Sequence, residues 1–226
     1  MNLDFKEKVA LLTGAASRIG RETALLFVEE GAKVMINDLR RDEALRVVRE
    51  VESKGGSAIA IEADVSNLAE AKRMVEEALK AFGQIDILIN NAGVFPAKPI
   101  RERTEIEFDR VMGIHLKSVF NCVRVVVNSM VERGYGRIVS LSSVAGKVGS
   151  INQVSHYAAA KAGIIGFSKS IGRELGQFNI TVNGVAPGLT DTPNLGASRE
   201  NIQKAAKASP LGRLAQPREI ANLIVF

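Results

Sequence analysis

The amino-acid sequence predicts an α/β protein: one doubly wound domain over residues 1–226, with a parallel sheet covered on both faces by helices. Two observations carry this expectation. Short β-branched runs alternate with amphipathic stretches along the chain, and no linker rich in Pro, Gly or Ser divides them. Strand, helix and strand repeated in this way pair in parallel through right-handed crossovers.

Taken in order, strands are expected at "KVALLT" (8–13), "KVMIND" (33–38), "SAIAIEAD" (57–64), "IDILINN" (85–91), "RIVSLSS" (137–143) and "ITVNGVAP" (180–187). The amphipathic stretches between them, at 21–30, 41–54, 67–82, 104–132 and 155–177, are expected to be helices. "PREIANLIVF" opens with a good helix start and runs to Phe226. Such a sheet commonly closes with one more strand, and the sequence as given supplies none. Either the natural C-terminus lies beyond Phe226 or the sheet does without that strand.

Bulk properties narrow the function. Hydrophobic residues make up 46% and charged residues 24% of the chain, as in ordinary globular proteins. "MNLDFKEKV" has acids and lysines where a secretory leader needs an apolar core, and no apolar run reaches spanning length. Cys122 is the only cysteine, which excludes an intrachain disulfide and a cysteine metal cluster. Two separated histidines without matching carboxylates make a poor metal site, so no metal is expected. A cytoplasmic protein with no membrane partner is the expectation. The net charge of +5 does not indicate a nucleic-acid partner, because the basic residues are scattered among acids on helical segments. A basic surface nevertheless favours anionic ligands.

One such ligand is suggested by "LLTGAASRIGRETALLF" (11–27), a strand running into a helix through a glycine-bearing turn. Gly14 sits at the turn and Gly20 in the first helical turn, where a dinucleotide loop needs small residues and free N–H groups for a pyrophosphate. Asp38 ends the second strand, where a carboxylate can accept hydrogen bonds from the adenosine ribose and repel a 2′-phosphate. Arg18 departs from the pattern. It occupies a place usually held by glycine, where its Cβ could crowd the pyrophosphate and its charge attract it.

Four further motifs fall in register with this loop: "NNAG" (90–93), "SLSSVAG" (140–146), "YAAAK" (157–161) and "NGVAPG" (183–188). With "TGAASRIG", they resemble the short-chain dehydrogenase/reductase family from Lys6 to Phe226, which implies a Rossmann fold. "YAAAKAGIIGFSKSIGREL" and "PLGRLAQPREIA" are most similar to the branch of 3-oxoacyl-acyl-carrier-protein reductases and of sugar or polyol dehydrogenases.

The resemblance implies an oxidoreductase that moves a hydride between NAD, favoured by Asp38, or NADP, and a small or acyl-carrier-bound carbonyl substrate. Arg18, Arg40 and Arg41 could together accommodate the 2′-phosphate of NADP. Tyr157 would be the acid/base. Lys161 is four residues on, sharing a helix face, and would lower the phenol's pKa and bind the nicotinamide ribose. Ser143, favoured over Ser142 by the family pattern, would hold the substrate oxygen. His115 stands where many relatives have a relay asparagine, and would either join a water-borne relay and titrate or simply pack a helix.

The cofactor contacts implied are Gly14, Ser17, Arg18, Ile19, Gly20, Asp38, Asp64, Val65, Asn91, Ala92, Gly93, Tyr157, Lys161, Pro187, Gly188, Thr190 and Thr192, with Asn90 either beside the cofactor or structural. "NLGASRENIQKAAKAS" (194–209) would form a helical lid. The family's usual homotetramer pairs the helices around 113–132 and 157–176, so a tetramer or a dimer is expected. A dinucleotide-binding sensor or scaffold without catalysis is the rival, supported by Arg18 and His115 alone.

Overall fold

The structure, a computed structural model, describes residues 3, 5–150, 152–192, 203–204, 206–207 and 209–226. Among them six strands form one sheet: β1 (Val9–Thr13), β2 (Lys33–Asp38), β3 (Ala58–Glu62), β4 (Ile87–Asn90), β5 (Gly136–Leu141) and β6 (Ile180–Val185). Their order is β3-β2-β1-β4-β5-β6, with every pairing parallel. All five residues of β1 are buried, which is why it reads as an unbroken apolar run. Its side chains alternate between two cores.

On one face Ala10 and Leu12 meet α1 (Arg18–Glu29), α2 (Arg41–Ser53) and a C-terminal helix through residues such as Phe27, Val47 and Ile224. On the other, Val9 and Leu11 meet α3 (Leu68–Phe82), α5 (Ser118–Arg133) and α7 (Ser155–Leu175) through Met74, Val126 and Ile164. The short helices α4 (Glu105–Met112) and α6 (Ala145–Val148) lie in the connections, and α8 (Pro217–Val225) is the C-terminal helix. The expected lid over 194–209 lies largely outside the described residues.

Local chemistry sets the element ends. The Asn67 side chain accepts from the N–H groups of Ala69 and Glu70 and caps α3, while Thr104 and Glu107 form a reciprocal capping box on α4. Asp86, 1% exposed, accepts from the Val9 N–H at 2.9 Å and from Arg133 at 2.6 Å, tying the base of β4 to β1 and α5. The long helix expected over 104–132 is broken. A π-helical turn, Gly113–Lys117, separates α4 from α5 and carries His115 inward.

The order in which successive strands are laid down reverses between β1 and β4, and the crevice at the carboxyl ends of these parallel strands is where such sheets bind ligands. The expected site residues gather there.

Candidate active site

Thr13 closes β1 and holds the crevice together. Its hydroxyl accepts from the N–H groups of Asn91 (3.0 Å) and Ala92 (3.2 Å) just past β4. The Asn91 amide donates to the carbonyls of Thr13 (3.1 Å) and Gly14 (2.8 Å), so this side chain braces the loop. Gly14 turns there with φ +59°, and a Cβ would stand 2.7 Å from the Ala92 Cα. At Gly20 a Cβ would stand 2.6 Å from the Asn91 amide nitrogen. Both glycines are fixed by close approach of the two strand ends.

Arg18 adopts the left-handed conformation, φ +55°, that glycine takes without cost. Its side chain is exposed, and no hydrogen bond or ion pair holds it among the described residues. Ser17 makes no side-chain cap to α1, and the first turn, with Ile19 and Gly20, contains no acid. The N–H groups of that first turn therefore have no side-chain cap, and the Arg18 cation sits in the same turn.

Asp38 at the end of β2 accepts from Ala16 N–H at 3.4 Å and from Arg40 N–H at 3.1 Å, and pairs with the Arg40 guanidinium. The Asp64 carboxylate is engaged by the backbone N–H and hydroxyl of Ser66. Val65 is buried, and its carbonyl accepts from the buried Asn121 at 3.0 Å. An uncapped helix end free of acid, a glycine cradle and a carboxylate at the β2 end fit a dinucleotide.

The remaining residues lie across the crevice. Tyr157 is the third residue of α7, whose register brings Lys161 to the same face. Ser143, just past β5, lies near enough to the phenol to pull its pKa down against the effect of burial, and accepts from Ala145 N–H at 3.2 Å. Ser142 instead donates to the Lys161 carbonyl at 2.7 Å and ties β5 to α7.

Lys161 departs from expectation. Its ammonium donates to the carbonyl of Leu141 and stands 5.6 Å from the centre of the Tyr157 ring. Complete burial brings its pKa down to about 7. The Tyr157 pKa is raised, because burial outweighs the influence of Ser143, so the lowering expected from Lys161 does not hold in the dinucleotide-free chain.

His115 is buried beside Tyr157, ring centroids 5.1 Å apart at 87°, and lies against Gly93. Nε2 bonds the Val94 carbonyl at 2.8 Å, and Nδ1 is buried without a partner. Burial, helped by Lys161, pushes its pKa down to about 3. It therefore stays neutral near pH 7, which goes against the titrating alternative and leaves a neutral relay member or a packing residue.

Phe95 stacks edge-on against Tyr157 at 5.0 Å. Asn90 is buried and donates to the Ser140 hydroxyl at 3.1 Å, a strand-to-strand tie. The Pro187 carbonyl accepts from Val144 N–H at 3.0 Å, and the Thr190 hydroxyl donates to the Gly188 carbonyl at 3.3 Å. Thr190 also bridges to Ala215, while Thr192 is half-buried at the edge of the described segment. His156, expected at the cleft or the surface, is 1% exposed and buried against Arg103. Cys122 is buried with its thiol pushed up to about 12, an inert packing residue.

Thr13, Phe95, Arg103 and Asn121 escaped the sequence reading. Only Thr13, beside the glycine turn, had a motif to mark it. Among the described residues, no group of three or more His, Cys, Asp or Glu could hold a metal ion, and no helix is long and apolar enough to cross a membrane.

This sheet order and crevice define a doubly wound protein of the Rossmann type. The short chain dehydrogenase family model matches residues 8–203, and the chain belongs to that family, whose members act on CH–OH groups with NAD or NADP. It is 40% identical to the BbsD subunit of a hydroxy(phenyl)methylsuccinyl-CoA dehydrogenase from Thauera aromatica, over 99% of this chain and 90% of that protein. It is also 40% identical to a 3-oxoacyl-acyl-carrier-protein reductase from Thermotoga maritima, over 97% and 89% of the two chains. A 3-oxoacyl-acyl-carrier-protein reductase from Brucella melitensis with bound NAD superposes with a TM-score of 0.90 at 37% identity, covering 98% of this chain and 84% of that one.

Proposed function

We propose that the chain interconverts a ketone and a secondary alcohol on an acyl or aryl thioester-type substrate, most like a 3-oxoacyl-acyl-carrier-protein reductase. The observation that carries this choice over a sugar or polyol dehydrogenase is apolar surface beside the reacting groups. Phe95 packs on Tyr157 while 51% exposed, and Val94, Val144 and Leu189 are exposed along the segments that carry or flank the site residues. Exposed apolar residues grouped at a polar site mark a surface for apolar ligand.

The dinucleotide, when bound, supplies or accepts the hydride. Tyr157 gives its phenolic proton to the substrate oxygen in reduction and takes it back in oxidation. Ser143 donates a hydrogen bond to that oxygen and fixes its position. Lys161 holds the nicotinamide ribose and, with its charge restored there, stabilises the phenolate. The buried Nδ1 of neutral His115 serves as the acceptor for a water that returns protons towards Lys161. Gly14, Ser17, Arg18, Ile19 and Gly20 receive the pyrophosphate, Asp64 and Val65 the adenine, and Ala92, Gly93, Pro187, Gly188, Thr190 and Thr192 the nicotinamide half. Asn91 contributes by shaping the loop. NAD is the preferred coenzyme, because Asp38, at the end of β2, would accept from the adenosine ribose hydroxyls and repel a 2′-phosphate, while Arg40 is already paired to it.

The family's oligomer also suits this chain: Phe120 on α5, 47% exposed, contacts Phe167 on α7 and leaves an apolar surface for a second copy.

The test is reduction of a 3-oxoacyl thioester against a ketose of similar length, each with NADH and NADPH. Faster turnover of the thioester with NADH supports the proposal. A preference for the ketose would move the chain to the polyol branch, and a preference for NADPH would move the coenzyme choice to Arg18 and its neighbours.

A further inference from the structure

The catalytic helix α7 begins without a cap of its own. Val154, at its N-cap, makes no side-chain hydrogen bond, and the first turn holds no acid. The residue before it, Gln153, is in the left-handed region with φ +56°, a conformation that persists only where the surroundings hold it.

Arg103 holds it. This residue ends the 3-10 turn Ile100–Glu102 and leads into the capping box of α4. Its guanidinium donates to the Gln153 carbonyl at 2.9 Å and to the Lys98 carbonyl at 2.6 Å, and it meets Nε2 of the buried His156. The Lys98 N–H donates to the same Gln153 carbonyl at 3.0 Å, and the Lys98 ammonium is paired to both oxygens of Glu107. A planar fork with fixed donor directions therefore joins three points that chain connectivity leaves independent. They are the segment running from Phe95 to Lys98, the strained turn at Gln153, and the first turn of α7. Tyr157 follows His156 directly and stacks on Phe95, so both walls of its position are tied to one side chain.

We infer that Arg103 is a positioning residue, which sets Tyr157 against the substrate segment through Gln153 and His156. This rests on the reading of Tyr157 as the acid/base. A guanidinium that only stiffened the fold would act on stability; one that sets the phenol acts on the chemical step, where a displacement of about 1 Å can cost 100-fold in rate.

The variants are Arg103→Met, which keeps the aliphatic packing and removes every donor, Arg103→Lys, and His156→Gln. Arg103→Met is expected to lower kcat for carbonyl reduction by about tenfold or more, with the dinucleotide KM unchanged and the thermal midpoint lowered by only about 2–4 °C, because His156 is left buried without a partner. Arg103→Lys, able to reach the two carbonyls, is expected to recover part of that loss. Amide exchange over Val154–Ala158 is expected to quicken in Arg103→Met, a measure that needs neither substrate nor dinucleotide.

Wild-type kcat in Arg103→Met would overturn the inference, whatever the exchange shows, and so would unchanged exchange. If Arg103→Met does not fold, Arg103→Lys and His156→Gln decide by the same two measures, an unchanged kcat in both overturning it. A wild-type protein that turns over no carbonyl would sink the oxidoreductase reading instead, and exchange alone would then decide whether Arg103 fixes the Tyr157 turn.

Discussion

Lys161 shares a helix face with Tyr157, yet its ammonium donates to the carbonyl of Leu141 and stands 5.6 Å from the centre of the Tyr157 ring. The lysine is wholly enclosed, and burial alone brings its pKa down to about 7. Between about pH 7 and the ordinary lysine value of 10.5 the unfolded chain holds a proton that the folded chain lacks, so stability rises with pH across that window. Lys161→Met is expected to abolish this rise and to stabilise the dinucleotide-free protein at pH 7 by roughly 1 kcal/mol or more. The same variant is expected to lose about 100-fold or more in turnover. Thermal melts at pH 7 and pH 9 with a parallel rate measurement check both; a less stable variant would contradict the first.

Arg18 holds a left-handed backbone with no partner for its charge among the described residues. Arg18→Gly removes about 1 kcal/mol of backbone strain and adds a comparable entropy to the unfolded chain, so stability is expected to change by less than about 0.5 kcal/mol. Affinity for ADP is expected to fall about tenfold, as for the loss of one charge-assisted hydrogen bond, while affinity for adenosine barely moves. Titrations with both ligands check this, and equal losses would place Arg18 away from the phosphates.

His115 sets an acid limit to stability. Its pKa of about 3 lies below the ordinary 6.5, so the unfolded chain takes up a proton first as the pH falls. The contribution is complete above pH 6.5 and is lost towards pH 3, at up to about 1.4 kcal/mol per pH unit. Denaturant unfolding of wild type and His115→Asn at pH 4, 5 and 7 should show a shallower pH slope in the variant. Identical slopes would assign the acid sensitivity to other groups.

How much of this was legible follows from what each residue must satisfy. The strands of the centre are buried on both faces, so "VALLT" and "ILIN" announce themselves as apolar runs. Asn67, Thr104 and Pro217 sit at helix starts whose chemistry is local. The break at Gly113–Lys117 was hidden, because a π turn inserts into a helix without disturbing the pattern on either side. Tyr157, Lys161 and Ser143 were readable as a set from their motifs. The Lys161 partner was not, since a carbonyl of β5 carries no sequence signal. Arg103 reads as one more surface charge, and only the fold shows it joining segments 50 residues apart.

The most direct measurement is turnover by Tyr157→Phe alongside its dinucleotide affinity. Phenylalanine keeps the ring that packs between Phe95 and His115 and removes only the hydroxyl. The rate is expected to fall by about 100- to 10,000-fold, with NADH binding unchanged. Turnover within a few-fold of wild type, at the same NADH affinity, would show that the proton comes from elsewhere.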